Sequence, residues 1–96
     1  MSPENKKKLT KIRVKLDKLD NQLLSLIKTR TNLVNNVIKL KQHKKEIVDK
    51  KRISFILMRI KKRSIKSGID PMITVGIWKE MIKCFIKYEY KNFKKK

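Results

Sequence analysis

An apolar stripe runs without a break through the first forty residues, and it constrains the fold more than any other feature of the chain. Its positions are spaced alternately three and four residues apart, which follows one face of an α-helix. The stripe consists of Leu9, Ile12, Leu16, Leu19, Leu23, Leu26, Arg30, Leu33, Val37 and Leu40. No glycine or proline interrupts it, so the pattern predicts a single helix from Pro3 to about Lys44, with Ser2 as the N-cap.

A helix of this length outruns the rest of the chain. About 40 helical residues span about 60 Å. A compact monomer of 96 residues is only roughly 30 Å across, so a lone chain leaves much of the stripe uncovered. The length of the helix therefore predicts an obligate homodimer, in which a second copy covers the stripe.

Two shorter helices are predicted after a polar loop at residues 42–48. Asp49 is the expected N-cap of the second helix, which ends at Gly68. Asp70 and Pro71 repeat the N-cap and first-turn signals for a third helix. Because no strand pattern appears, the predicted fold class is all-α. Three helices form a single domain over residues 1–96, with basic tails at about 1–8 and 92–96.

The net charge is +20, from 28 basic and 8 acidic residues. A charge of this size can indicate binding of nucleic acid, anionic membranes or small anionic ligands, but lysines that merely fill solvated positions are the plainer interpretation. The 23 lysines are spread through all three predicted helices and both tails, which argues against a dedicated nucleic-acid surface. No apolar run is long enough to cross a membrane. With no apolar signal region and Cys84 as the only cysteine, a cytoplasmic location is expected.

Charged residues interrupt the apolar faces at two positions. Arg30 lies in the middle of the first stripe, and Glu89 interrupts the face of the third helix that carries Trp78 and Phe85. A buried arginine costs several kcal/mol unless an anion meets it. We therefore expect Arg30 to face a bound anion or a side chain of a partner.

The spacing of three cations suggests a site shared between two chains. Arg13, Arg30 and Lys41 are spread over about 42 Å of helix, too far for one chain to bring Arg13 and Lys41 to a single small ligand. In an antiparallel dimer, Arg13 of one chain lies near Arg30 and Lys41 of the other, and such a pocket suits a compact dianion. Plainer interpretations exist: Arg13 on the surface, Arg30 in a structural ion pair, Glu89 as a solvated charge.

The sequence predicts neither a metal site nor a cofactor. It has no cluster of histidine, cysteine and carboxylates at metal-binding spacing, and no glycine-rich phosphate loop. One histidine and one cysteine are too few for a nucleophile and its base.

The order of these residues resembles that of the all-helical chorismate mutases over roughly residues 9–90. The specific part is the first helix, Leu9-x-x-Ile12-Arg13-x-x-Leu16-Asp17-x-Leu19-Asp20-x-x-Leu23-Leu24-x-Leu26-Ile27-x-x-Arg30. Weaker pieces follow at the right spacing: Val37-x-x-x-Lys41, Asp49-x-x-Arg52 and Gly68-Ile69-Asp70-Pro71. The resemblance implies an intertwined homodimer of three-helix chains, with two active sites that each borrow an arginine from the other subunit.

The resemblance also implies an activity, the pericyclic rearrangement of chorismate to prephenate without a cofactor. Catalysis would come from holding the enolpyruvyl arm over the ring and from fixed donors at the ether oxygen. The implied catalytic residues are Arg30, which binds a carboxylate within its own chain, and Lys41 and Glu89, which flank the ether oxygen. The implied substrate-binding residues are Arg13 (reaching across the dimer), Arg30, Lys41, Asp49, Arg52, Ile53, Phe85 and Glu89.

Three positions depart from the mutase pattern. Ile53 stands where a glutamate that contacts the ring hydroxyl is usual, Phe85 where a small polar residue is common, and Glu89 where glutamine is common. A glutamate donates a hydrogen bond only when it is protonated, so activity is predicted to rise toward acid pH. Ile53 and the aromatic-rich last helix also resemble isochorismate pyruvate lyases, which share the fold and form salicylate and pyruvate. That is the alternative activity.

Two further hypotheses belong to other classes of protein. A basic helical nucleic-acid binder predicts tight, salt-dependent DNA binding. A coiled-coil interaction module predicts that Arg30→Leu stabilises the dimer and removes no activity. The enzyme hypothesis predicts that the same substitution raises stability and abolishes turnover.

Overall fold

The computed structural model describes residues 1–94, which form three α-helices and no strand. Helix α1 is Pro3–Leu40, α2 is Lys50–Lys66 and α3 is Pro71–Asn92, with a short 3-10 turn at Lys44–Glu46 between α1 and α2. This confirms the all-α prediction of one long helix and two shorter ones. Of the predicted C-terminal tail, residues 95 and 96 lie outside the described range. No helix of residues 1–94 is long and apolar enough to cross a membrane.

Helix α1 begins where the sequence predicts and ends earlier than predicted. The hydroxyl of Ser2 accepts a hydrogen bond from the Asn5 amide at 3.1 Å, as an N-cap does. The helix stops at Leu40 instead of continuing to about residue 44. The carboxylate of Glu46 accepts hydrogen bonds from the next two free amides, those of Gln42 and His43, at 2.6 and 2.8 Å. These amides are therefore paired in a tight turn and not in another turn of helix.

Helices α2 and α3 have the caps that the sequence predicts. Asp49 accepts a hydrogen bond from the Arg52 amide at 3.0 Å, and Asp70 accepts one from the Met72 amide at 2.9 Å. Gly68 follows the end of α2 with a φ of +73°, a left-handed conformation that glycine adopts without steric cost.

The chain divides into two compact units, which are described separately. The N-terminal unit is Met1–Leu33, and the C-terminal unit begins at Val34. In the N-terminal unit no residue is buried. Its apolar stripe is largely open to solvent: Leu16 is 51% exposed and Leu26 is 66% exposed.

The C-terminal unit has a small apolar core made by the end of α1, the turn and the end of α3. Its buried members are Ile38, Ile47 and Phe93. Val34, Ile86 and Tyr88 pack around them. The burial of Ile38 was not predicted, because the sequence singled out only its neighbours Val37 and Leu40 as members of the apolar stripe. Leu40 is instead 79% exposed while Ile38 is 8% exposed. In this unit the chain's own core therefore uses a face of α1 beside the stripe and not the stripe itself.

Helices α2 and α3 pack against each other within the C-terminal unit. Ile56 and Ser64 are the buried residues of α2. The Ser64 hydroxyl lies 2.6 Å from the Thr74 hydroxyl of α3 and donates to or accepts from it while also contacting the Ile60 carbonyl. This pairing satisfies a buried polar group between the two helices.

Candidate active site

An ion pair between Lys41 and Glu89 is the central polar feature of the C-terminal unit. The Lys41 ammonium lies 3.0 Å from a Glu89 carboxylate oxygen, and the two side chains are only 20% and 11% exposed. The same ammonium lies 3.5 Å from the backbone carbonyl of Ile47. Two residues that sequence analysis singled out are therefore in direct contact, although 48 positions separate them.

The helices explain why this pair is shielded from solvent. Glu89 lies three residues after Ile86 and four before Phe93, so it shares the face of α3 that packs into the core. Lys41 follows directly after α1, three residues beyond Ile38. Removing one member of a shielded pair leaves the other charge without compensation, which is costly. The partly shielded ammonium of Lys41 and carboxylate of Glu89 therefore stabilise each other.

Lys41 also lines an open groove of about 620 Å³ between the end of α1 and the start of α2. The groove is lined by Val37, Leu40, Lys41, Lys45, Glu46, Val48, Asp49, Lys50 and Lys51. Four lysines face two acids there, which leaves an excess of two positive charges. The groove is therefore suited to an anion. Two of the predicted substrate-binding residues, Lys41 and Asp49, line it together.

Glu46 reduces the positive charge of the groove without reversing it, because four lysines face two acids there. Its carboxylate already accepts the amides of His43 and Gln42. These two backbone hydrogen bonds, that of His43 first, lower the pKa of Glu46 below its ordinary value. Glu46 thus stabilises the turn through these two hydrogen bonds, and the lysines remain the dominant charges of the groove.

Arg52, Ile53 and Phe85 extend the set of candidate residues in the C-terminal unit. The Arg52 side chain is exposed, and its guanidinium carbon lies 5.7 Å from the centre of the Phe55 ring. Ile53 and Phe85 are partly buried. Phe85 meets Tyr88 edge to face, with ring centres 6.3 Å apart. Both positions that depart from the mutase pattern by being apolar are therefore partly shielded from solvent.

Arg13 and Arg30 belong to the N-terminal unit. Arg13 is exposed on α1. Arg30 is partly buried, and its Nη1 nitrogen is shielded from solvent. The long stem of an arginine in a leucine position thus places at least part of the guanidinium away from water, as the stripe predicts.

Sequence analysis overlooked two features of this region. Phe55 was not recognised as a neighbour of Arg52, although an aromatic residue three positions after an arginine on a helix is a usable signal. Ile47 was assigned to a polar loop, but it is among the most buried residues and contributes the carbonyl near Lys41. Among residues 1–94, no group of three histidine, cysteine or acidic residues is placed to hold a metal ion.

Comparison with known proteins gives the family. The chorismate mutase type II family matches residues 12–90. A chorismate mutase of Methanocaldococcus jannaschii is 36% identical over 76 residues, which covers 78% of this chain and 77% of that protein. No solved structure matches the chain.

The chain therefore belongs to the chorismate mutase type II family. Membership makes it an isomerase of the shikimate pathway, which leads to the aromatic amino acids. The family resemblance expected from the first helix is confirmed.

Proposed function

We propose that the chain converts chorismate to prephenate by holding the dianion among fixed cations, with Lys41 as a donor to the ether oxygen. The Lys41–Glu89 pair is the observation that carries this proposal. An ammonium group has three N–H donors. Glu89 and the Ile47 carbonyl account for two of them, so one remains for a substrate oxygen at the groove.

The rearrangement is favoured by a hydrogen-bond donor of this kind at the ether oxygen. In the rearrangement the ether C–O bond breaks while a new C–C bond forms, and no group has to leave or be added. Negative charge grows on the ether oxygen as its bond lengthens. A donor that is already in place stabilises that charge without reorganising, which is worth about 10²–10³ in rate for a single group.

Glu89 takes part in two ways that depend on its proton. As a carboxylate it holds Lys41 in position at 3.0 Å. With a proton it becomes a second donor, which can share the ether oxygen with Lys41. The protonated form is the more active one in this proposal, because it adds a donor and releases the lysine toward the substrate.

Three arginines bind the substrate carboxylates in this proposal. Arg30 binds one carboxylate, Arg13 of a second copy binds the other, and Arg52 supports the anion from the start of α2. Guanidinium groups suit this role, since their planar donors match a carboxylate in two places. Asp49, Ile53 and Phe85 line the side of the pocket that holds the ring.

We also propose that the active enzyme is an intertwined homodimer in which the whole chain acts as one mutase domain. Two observations support the proposal that a second copy of the chain packs against the apolar stripe of α1. No residue of the N-terminal unit is buried, and the core of the C-terminal unit uses Ile38 beside the stripe. A regular row of leucines that the chain itself does not bury is typical of an interface between helices.

A second candidate activity is the elimination of pyruvate from isochorismate to give salicylate. The apolar character of Ile53 and Phe85, both partly buried, favours it. Neither side chain can form a hydrogen bond with a ring hydroxyl. Ile53 and Phe85 therefore do not discriminate between chorismate and isochorismate by the position of that hydroxyl.

One pair of assays separates these activities. The purified chain, from a host without its own mutase, is incubated with chorismate and with isochorismate in separate reactions. We expect chorismate to disappear with an equal yield of prephenate. Salicylate and pyruvate as the main products from isochorismate would favour the second candidate, and no loss of either substrate would overturn both.

A further inference from the structure

Phe55 is an exposed aromatic residue flanked by two guanidinium groups. It lies on α2 and is 55% exposed. The guanidinium carbons of Arg52 and Arg59 lie 5.7 and 5.8 Å from the centre of its ring. Both distances are within the range of a cation–π interaction.

The spacing on α2 accounts for this cluster. Arg52 precedes Phe55 by three residues and Arg59 follows it by four, so all three lie on one face of the helix. The buried residues of α2 are Ile56 and Ser64. Phe55 is therefore not needed for the core of the described unit, and its ring is available to the two arginines.

The contact with Phe55 affects how Arg52 binds a ligand. An arginine side chain is flexible, and ordering it against a ring removes freedom before a ligand arrives. The Arg52 guanidinium carbon lies over the Phe55 ring, and a cation–π contact with a ring uses none of the N–H donors of the guanidinium for hydrogen bonds. A guanidinium ordered in this way keeps its in-plane donors for a carboxylate.

We propose that Phe55 is a positioning residue, which orders the Arg52 guanidinium for the substrate carboxylate. This inference rests on the proposed role of Arg52 in binding the dianion. The stacking contact is the same before and during the reaction, so its loss weakens binding of substrate and transition state alike. Loss of the contact is therefore expected to raise KM. The energy of an exposed cation–π contact corresponds to about a two- to fivefold change in KM.

The test compares side chains that do and do not carry a ring. Phe55→Leu removes the aromatic face, whereas Phe55→Tyr and Phe55→Trp keep it. We expect Phe55→Leu to raise KM for chorismate by about two- to fivefold with little change in kcat. The two aromatic variants should keep the KM of the parent. Met58→Ala, which truncates an exposed apolar side chain of the same helix, is the matched control and should leave KM unchanged.

A double-mutant cycle with Arg52→Gln links the effect to the arginine. If Phe55 acts through Arg52, Phe55→Leu has no further effect on KM in the Arg52→Gln background. An equal effect in both backgrounds overturns the inference, as does a KM for Phe55→Leu that equals that of the parent. A normal KM for Arg52→Gln also overturns it, while chorismate turnover by the parent shows that the mutase activity stands. Equal thermal midpoints of the Phe55 variants exclude a change in folding.

Discussion

The two compact units of this chain use apolar residues in opposite ways. The N-terminal unit repeats leucine along one helix face and buries none of it. The C-terminal unit has fewer regular apolar positions, yet it closes a core around Ile38, Ile47 and Phe93 and shields an ion pair beside it. The contrast indicates that the chain leaves the stripe of its N-terminal unit unburied, whereas its C-terminal unit shields the Lys41–Glu89 ion pair with its own side chains.

A charge in the exposed stripe is expected to produce the largest effect. Leu23→Glu places carboxylates in the proposed interface, where burying them without partners is costly. We expect the variant to lose the dimer at micromolar concentration and to lose more than about 100-fold in kcat/KM, since the shared sites come apart. Analytical ultracentrifugation and turnover of chorismate measure both.

The control for this experiment is Asn21→Glu, which places the same charge on the opposite face of the helix. It should leave the dimer and the activity intact. A fully active Leu23→Glu monomer would show that the stripe has another partner and that each site is complete within one chain.

In the C-terminal unit, loss of the Lys41 ammonium is expected to lower kcat by about 10²–10³. Lys41→Met keeps the length of the side chain and removes its donors. It also leaves the Glu89 carboxylate without its cation, which destabilises the fold. The double variant Lys41→Met/Glu89→Met is expected to recover stability without recovering turnover. Lys87→Met on exposed α3 surface is the control. A near-normal kcat in the double variant would show that Lys41 does not contribute to catalysis.

The pH dependence of turnover tests the second member of the pair. In the proposed mechanism only protonated Glu89 donates to the ether oxygen, so kcat/KM rises as the pH falls. Glu89→Gln donates at every pH and should flatten the profile between about pH 5 and 8. A flat profile for the unmodified chain would contradict this role.

The smallest expected effect concerns the surplus of lysines and compares the two units directly. Lys45, Lys50 and Lys51 line the groove with Lys41, whereas Lys6, Lys7 and Lys8 lie at the exposed start of α1. Changing the groove set to glutamine should raise KM for the dianion a few-fold at low salt and leave kcat unchanged, since nearby cations attract the substrate.

The same number of charges removed from the start of α1 should have no effect on KM. Raising the salt concentration should abolish the difference between the two triple variants, because it screens exposed charges over about 10 Å at 0.1 M. If both triple variants raise KM equally, the net charge matters and the groove does not.

Local features of this protein could be predicted because their causes are local. Ser2, Asp49 and Asp70 cap helices through contacts two or three residues away, and Gly68 ends α2 through its own backbone conformation. The end of α1 was predicted less well. There the Glu46 carboxylate competes for the amides of Gln42 and His43, and periodicity does not register such competition.

The candidate site could be predicted as a set of residues but not as an arrangement. A charge inside an apolar face singled out Glu89, the spacing of the cations along the first helix included Lys41, and the resemblance implied a role for both. That the two meet at 3.0 Å, and that Ile47 supplies a carbonyl to the same ammonium, depends on how the turn and α3 pack. The cluster of Phe55 with Arg52 and Arg59 lies on one helix, and no prediction from the sequence included Phe55.

By itself, the sequence determined that the chain forms three helices, where each of them begins, and that one long apolar face is more than a single chain can bury. Those properties follow from spacing and capping over a few residues. Only the tertiary structure decided that α1 turns Ile38 and not the stripe toward the chain's own core, and that Lys41 pairs with Glu89. The physical reason is that these outcomes depend on contacts between residues far apart in the sequence, such as Lys41 and Glu89 at 48 positions, where shape and burial select among partners that the sequence alone leaves equivalent.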